Sequence, residues 1–151
     1  MFGNAVLNKA KHSDNTDEWY TDYRTIESEV SKYREQFQNK IVLCNCDNPF
    51  KSEFVKYFLK NFKTFGLKKL IATSYSRQTQ LQLFDDNQQE DEFAYLLVVK
   101  AYPFKTDSIS DDEIENYLKN QAGITRLKGN GDFSSEECIE YLKESDIVVT
   151  N

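Results

Sequence analysis

The chain has 151 residues, 39% of them hydrophobic, 29% charged and 14% aromatic, including nine Tyr and eleven Phe. That length supplies about one domain with a sizeable core, and the composition excludes disorder and low complexity as descriptions of the whole. The net charge of -6 argues against a freestanding nucleic-acid-binding module, because phosphate contacts require a basic surface.

In chain order, Met1 to Glu18 is polar and aperiodic and contains the single histidine, His12; it reads as a flexible arm. Ile26, Val30, Tyr33 and Phe37 recur at steps of four, three and four, one stripe of a helix ending near Asn39. Lys40 to Cys44 is a short apolar run that suits a strand buried on both faces. Asn48 and Pro49 then fit the cap and first position of a second helix. Its apolar face is Phe54, Val55, Phe58, Leu59, Phe62 and Phe65; Lys51, Lys56, Lys60 and Lys63 form a solvated face, and Gly66 ends it. Leu67 to Thr73 is a second strand, and a strand, helix, strand unit implies a parallel pair joined by a crossover.

Ser74 to Glu92 is polar and reads as a loop or insertion. Phe93 to Phe104 contains β-formers but runs into Tyr102-Pro103, so an edge or hairpin strand is expected. Ser110 to Glu113 and Ser134 to Glu137 each have the spacing of a capping box opening a helix. Between those helices lie a short strand at Ile124 to Lys128 and a tight turn at Gly129-Asn130-Gly131-Asp132-Phe133, with positive φ expected at Gly129 or Gly131. Asp146 to Thr150 is a last buried strand. Alternating strands and helices predict a partial doubly wound, mostly parallel α/β sheet with helices on both faces.

In such a sheet, ligands sit beyond the carboxyl ends of the strands where strand order reverses. The residues there are Asn45 to Pro49, Thr73 and Ser74, Asp132 and Phe133, and Asn151. Carboxylates and amides at these ends suit the ribose or base of a nucleotide-like cofactor, and Phe133 suits an adenine face. Ordinary turn chemistry also places polar residues at strand ends. The phosphate-loop pattern and the dinucleotide G-x-G-x-x-G are both absent. The cysteines, Cys44, Cys46 and Cys138, lack zinc-site spacing and fit free thiols in a reducing compartment; no metal is expected. No apolar run nears the ~18 residues of a membrane span, and no secretory h-region opens the chain. A cytoplasmic protein without a membrane partner is therefore expected.

Taken in order, these segments resemble the N-terminal part of the EcoRI-type adenine-specific DNA methyltransferases. The resemblance rests on Asp17 to Thr21 with the Ile26 helix, Val42 to Pro49 with Ser52 and Phe54, Phe65 to Ala72, and Gly129 to Glu136 running into Ser145 to Asn151. It implies a Rossmann-like fold, S-adenosylmethionine as cofactor, and the N6 of a flipped adenine in double-stranded DNA as acceptor. By the same resemblance Tyr20 and Thr21 hold the methionine end of the cofactor, Asn45, Cys46 and Asp47 pack against it, and Asp132 and Phe133 meet its adenine. Asn151 corresponds to the first residue of the family's catalytic Asn-Pro-Pro-Phe, whose oxygens accept hydrogen bonds from the target N6.

No acidic residue follows the second strand, so the ribose ligand stays unassigned. Residues 19–151 are expected to form an incomplete cofactor-binding subdomain with 74–110 as a family-variable insertion. Pro-Pro-Phe and the target-recognition region would lie beyond Asn151, so DNA would be engaged through that missing part and the isolated chain is expected to be inactive. An unfinished sheet edge at Asp146 to Asn151 invites self-association. The alternative is a non-catalytic α/β interaction module that kept the fold and lost the chemistry.

Overall fold

The computed structural model describes residues 22–45, 47–76 and 93–150; the expected arm at 1–18 lies outside them. The elements are α1 (Tyr23–Val30), a 3-10 helix (Ser31–Phe37), β1 (Ile41–Asn45), α2 (Glu53–Lys60), α3 (Phe62–Phe65), β2 (Lys69–Thr73), β3 (Tyr95–Val99), α4 (Asp111–Asn120), β4 (Thr125–Arg126), α5 (Glu136–Glu144) and β5 (Ile147–Thr150). The strands form a five-stranded sheet in the order β4-β3-β2-β1-β5, mixed and not mostly parallel, because β3 inserts antiparallel between β2 and β4. β1 runs parallel to both β2 and β5, with Leu43 opposite Ile71 and Val148. β3 is antiparallel to β2 and to β4, so β4 points the same way as β1, β2 and β5.

Alternate residues of each strand point to opposite faces, and both faces are covered. Val42, Cys44, Leu70 and Leu97 pack against Ile26, Phe37, Phe58 and Ile114 from α1, the 3-10 helix, α2 and α4. Ile41, Leu43 and Ile71 face the other way and meet Tyr141 and Leu142 of α5. Phe37, Phe54, Phe58 and Leu59 are each at most 1% exposed, and each contributes about 1.5–3 kcal/mol through burial. At the start of the parallel pair, Asp146 accepts from the Ile41 N–H through Oδ2 at 2.9 Å and donates its own N–H to Ile41 O at 2.8 Å.

Five local expectations are corrected. The first helix tightens to 3-10 geometry from Ser31, while its stripe still buries Ile26, Val30 and Phe37. Asn48 does not cap α2: its Oδ1 accepts from Phe50 N (2.9 Å) and its carbonyl from Lys51 N and Ser52 N, which closes a separate turn. Ser52 is the cap, its Oγ accepting from Val55 N at 3.0 Å. The lysines are not simply a solvated face, because Lys60 reaches Asp111 Oδ1 of α4 at 2.7 Å and lies 4.9 Å from the centroid of the Tyr23 ring.

Of the edge or hairpin strand expected, the edge is corrected and the hairpin pairing holds: β3 is internal, antiparallel to β2 before it and β4 after it, and because it ends at Val99, Pro103 removes no ladder donor. Of the two capping boxes, Ser110 with Glu113 forms; at α5 the cap is Ser135, which puts Cys138, not a carboxylate, at the third helical position. Gly66, at φ 66°, ends α3 as expected.

Candidate functional site

Because β1, β2, β4 and β5 point the same way, their carboxyl ends share one edge of the sheet with the start of β3. β1 has β2 on one side and β5 on the other, the arrangement that opens a crevice between outgoing loops.

At the end of β1, Asn45 is 8% exposed and stands opposite Thr150 of β5. Its Oδ1 accepts from Thr150 Oγ1 at 3.0 Å, and its Nδ2 has no partner among the described residues. Asp47 is 1% exposed. Its N–H donates to Thr73 O at 3.0 Å, and its carboxylate accepts a short hydrogen bond from Ser52 Oγ. Asp47 therefore ties the β1 loop both to the end of β2 and to the cap of α2. Beside it, burial and then the Asp47 charge push the Cys44 thiol well above its ordinary range.

The end of β2 is fastened to the start of β3: Ser74 N donates to Tyr95 O at 3.0 Å, and Ser74 Oγ accepts from Tyr95 N at 2.7 Å. The glycine turn, arriving from β4, lies against this junction. Leu127 N donates to Ala94 O (2.8 Å) and Ser76 N to Asn130 O (2.7 Å). Gly131 adopts φ +81°, and a Cβ built on it would stand 1.9 Å from Ser74 O. Of the two glycines expected to need positive φ, Gly131 is the one that does; Gly129 does not.

This contact brings Asp132 and Phe133 to the same edge as Asn45 and Asp47. Asp132 Oδ1 accepts from Ser134 N (2.9 Å) and Ser134 Oγ (2.8 Å), bonds that hold its carboxyl below the usual aspartate value, the backbone bond contributing most. Asp132 Oδ2 has no partner among the described residues. It is an ionised acceptor suited to an amino group. Phe133 is 58% exposed and Tyr75 47% exposed, the two large exposed hydrophobics among the described residues. They stand on the two loops that Ser76 and Asn130 join, and exposed aromatic faces there suit a planar ring.

Tyr75 and the Ser74–Gly131 contact were not singled out from sequence as site features. The only trace of them is polar Ser residues flanking a Tyr immediately after a strand. Tyr20, Thr21, Cys46 and Asn151 lie outside the described residues. Among the described residues no group of three His, Cys, Asp or Glu lies together as a metal site, and no helix is long and apolar enough to cross a membrane.

Residues 6–151 match the family model described as adenine-specific methyltransferase EcoRI. Type II methyltransferase M.EcoRI of Escherichia coli is 42% identical over 148 residues, 98% of this chain and 41% of that protein. Type II methyltransferase M.MgeORF184P of Mycoplasma genitalium is 39% identical over 96% of this chain and 36% of its own length. Type II methyltransferase M.MpnI of Mycoplasma pneumoniae is 34% identical over 96% of this chain and 35% of its own length. The chain thus spans about two fifths of the length of the curated relatives it matches. No solved structure matches it.

Proposed function

This chain belongs to the adenine-specific methyltransferase EcoRI family, and on that premise we propose that it is the cofactor-binding part of a site-specific DNA adenine-N6 methyltransferase with a Rossmann-like fold. The reading makes it the modification enzyme of a restriction-modification system or mobile element, acting in the cytoplasm on double-stranded DNA. Residues 19–151 are the cofactor-binding subdomain, with 74–110 as its variable segment. Target-base recognition belongs to regions of the relatives that this chain does not span.

The observation that carries the reading is the convergence of Asp132, Phe133 and Tyr75 on the carboxyl edge through the Gly131–Ser74 contact. The residues fit S-adenosylmethionine. Asp132 Oδ2 is an open acceptor for the adenine amino group, Phe133 and Tyr75 offer faces for its ring, and Asn45 has an uncommitted amide donor near the crevice. When bound, the cofactor supplies an electrophilic methyl group. Asp47 with Ser52 holds the β1 loop in place, and Tyr20, Thr21 and Cys46 complete the holding set. Asn151 accepts hydrogen bonds from the target N6 and concentrates lone-pair density on it, while flipping the base costs a few kcal/mol that stacking offsets.

The test is methyl transfer by the protein expressed from its complete reading frame, with labelled donor and duplex DNA, followed by nucleoside mass spectrometry. N6-methyladenine is expected, and lost in Asn151→Ala; methyl on cytosine, or none from the unmutated protein, contradicts the reading. The outer side of β5, which pairs only with β1 among the described strands, is in this reading an edge through which two copies associate. Light scattering that finds only monomer at high concentration refutes that association.

A further inference from the structure

The turn that carries Asp132 and Phe133 is clamped from the opposite side by a residue with no expected role in ligand binding. Glu137 sits in the first turn of α5, where a carboxylate ordinarily serves the helix dipole. Its two oxygens instead reach back across the turn: Oε2 accepts from Lys128 N at 2.9 Å, and Oε1 from Gly129 N at 3.3 Å. These are consecutive amides immediately before Asn130, whose carbonyl is held by Ser76 N and whose Oδ1 accepts from Asp132 N at 3.0 Å. A carboxylate spanning two adjacent amides fixes their direction as well as their distance.

We propose that Glu137 is a positioning residue for cofactor recognition: by clamping the Lys128 and Gly129 amides it sets where the Asp132 carboxylate stands against the adenine amino group. The proposal rests on the reading of Asp132 given above. The two carboxylates divide the work. Asp132 has one oxygen on Ser134 and the other open, while Glu137 has both oxygens on the turn and none to offer a ligand. Lys128 and Gly129 are exposed, so when Glu137 is removed water satisfies their amides. Little folding stability is lost. What goes is the restraint on the segment between the clamp and Asp132, and with it the discrimination of an amino group from a carbonyl at the same ring position.

The experiment is calorimetric titration of the 151-residue chain with S-adenosylhomocysteine and with S-inosylhomocysteine, which carries a carbonyl in place of the 6-amino group. An ionised acceptor facing an amino group gives a preference of roughly ten- to a hundredfold in the unmutated chain. Glu137→Ala is expected to lose most of that ratio with a small change in melting temperature, and Glu137→Gln, which keeps one acceptor oxygen, to restore it in part. If the unmutated chain discriminates and Glu137→Ala keeps the ratio, or weakens both ligands equally, the positioning role is overturned and the reading of Asp132 stands. If the unmutated chain binds neither ligand or shows no preference, the reading of Asp132 fails, and the role of Glu137 fails with it.

Discussion

Replacing Gly131 by Ala is the sharpest perturbation of the site that leaves its polar groups in place. The added methyl would lie 1.9 Å from Ser74 O, 2.9 Å from Ser74 C and 3.1 Å from Ala94 Cβ, on a residue at φ +81°. The conformation alone costs an L residue about 1–3 kcal/mol. The collision cannot be relieved by a side chain, because the nearest atom is backbone. Ser74 is pinned by Tyr95 through both its N–H and its Oγ, so the turn must move, straining the Ser76–Asn130 bond, itself worth about 0.5–1.5 kcal/mol. With overpacking of about 1–3 kcal/mol, the total is about 2.5–7.5 kcal/mol. In a domain of this size that lowers the melting temperature by roughly 5–30 °C.

Gly129→Ala is the control, since a Cβ there meets only Glu137 Oε1, at 4.0 Å, and φ is not positive. It is expected to be neutral or stabilising by about 0.4–1 kcal/mol. Thermal unfolding by circular dichroism, with S-adenosylhomocysteine affinity measured on each variant, reads both effects. A Gly131→Ala protein that melts within about 2 °C of the parent, against the 1–3 kcal/mol strain alone, and binds as tightly would refute the packing described for the turn.

Ser52→Ala removes the cap of α2 and a donor to the buried Asp47 carboxylate, so a loss of about 2–4 kcal/mol in denaturant unfolding is expected; a loss within experimental error contradicts the role given to that pair. Cys44 is fully buried with its thiol pushed up by desolvation, and it should escape alkylation at mildly alkaline pH until the chain unfolds, as peptide mass mapping will show; labelling in the folded state tells against it. The Asp132 carboxyl is lowered by Ser134, so the unfolded chain takes up the proton first as pH falls. The contribution of that carboxylate to stability is full above the unfolded value and lost only as pH falls through the lowered native one. A carboxyl-carbon NMR titration should place its midpoint below that of an ordinary aspartate, and Ser134→Ala should raise it; a midpoint at or above the ordinary value contradicts the assignment. Thr150→Val removes the bond to Asn45 and should cost about 0.5–1.5 kcal/mol, with Thr150→Ser close to the parent; equal stability of Thr150→Val and the parent would show that the bond contributes nothing.

Local chemistry was legible in the sequence where one residue type has one strong use. Gly66 ends a helix because glycine takes φ 66° cheaply, Ser110 with Glu113 closes a capping box, and the unbroken apolar run Ile41 to Cys44 has the length of a strand buried on both faces, which it forms. Where two residues compete for one role, sequence does not decide. Asn48 and Ser52 are both good caps, and the backbone turn that consumes Asn48 depends on how Asp47 is held against Thr73.

Strand order was illegible for a different reason. Nothing in Tyr95 to Val99 says that it inserts antiparallel between β2 and β4, because the pairing depends on segments distant in the chain. At the site, Asp132 and Phe133 were readable as residues at a strand end. Their nearness to Tyr75 was not, since it rests on the absence of a Cβ at Gly131 and on a single backbone bond from Ser76.

The most direct test of the central claim is amide chemical-shift mapping on the 15N-labelled chain as S-adenosylhomocysteine is added. Shifts are predicted at Tyr20, Thr21 and Cys46, and at Asn45, Asp47, Ser74 to Ser76 and Gly131 to Ser134 on the carboxyl edge of the sheet. Shifts clustered at the opposite edge, around Lys40, Lys68 and Lys100, or none at saturating ligand, would contradict it.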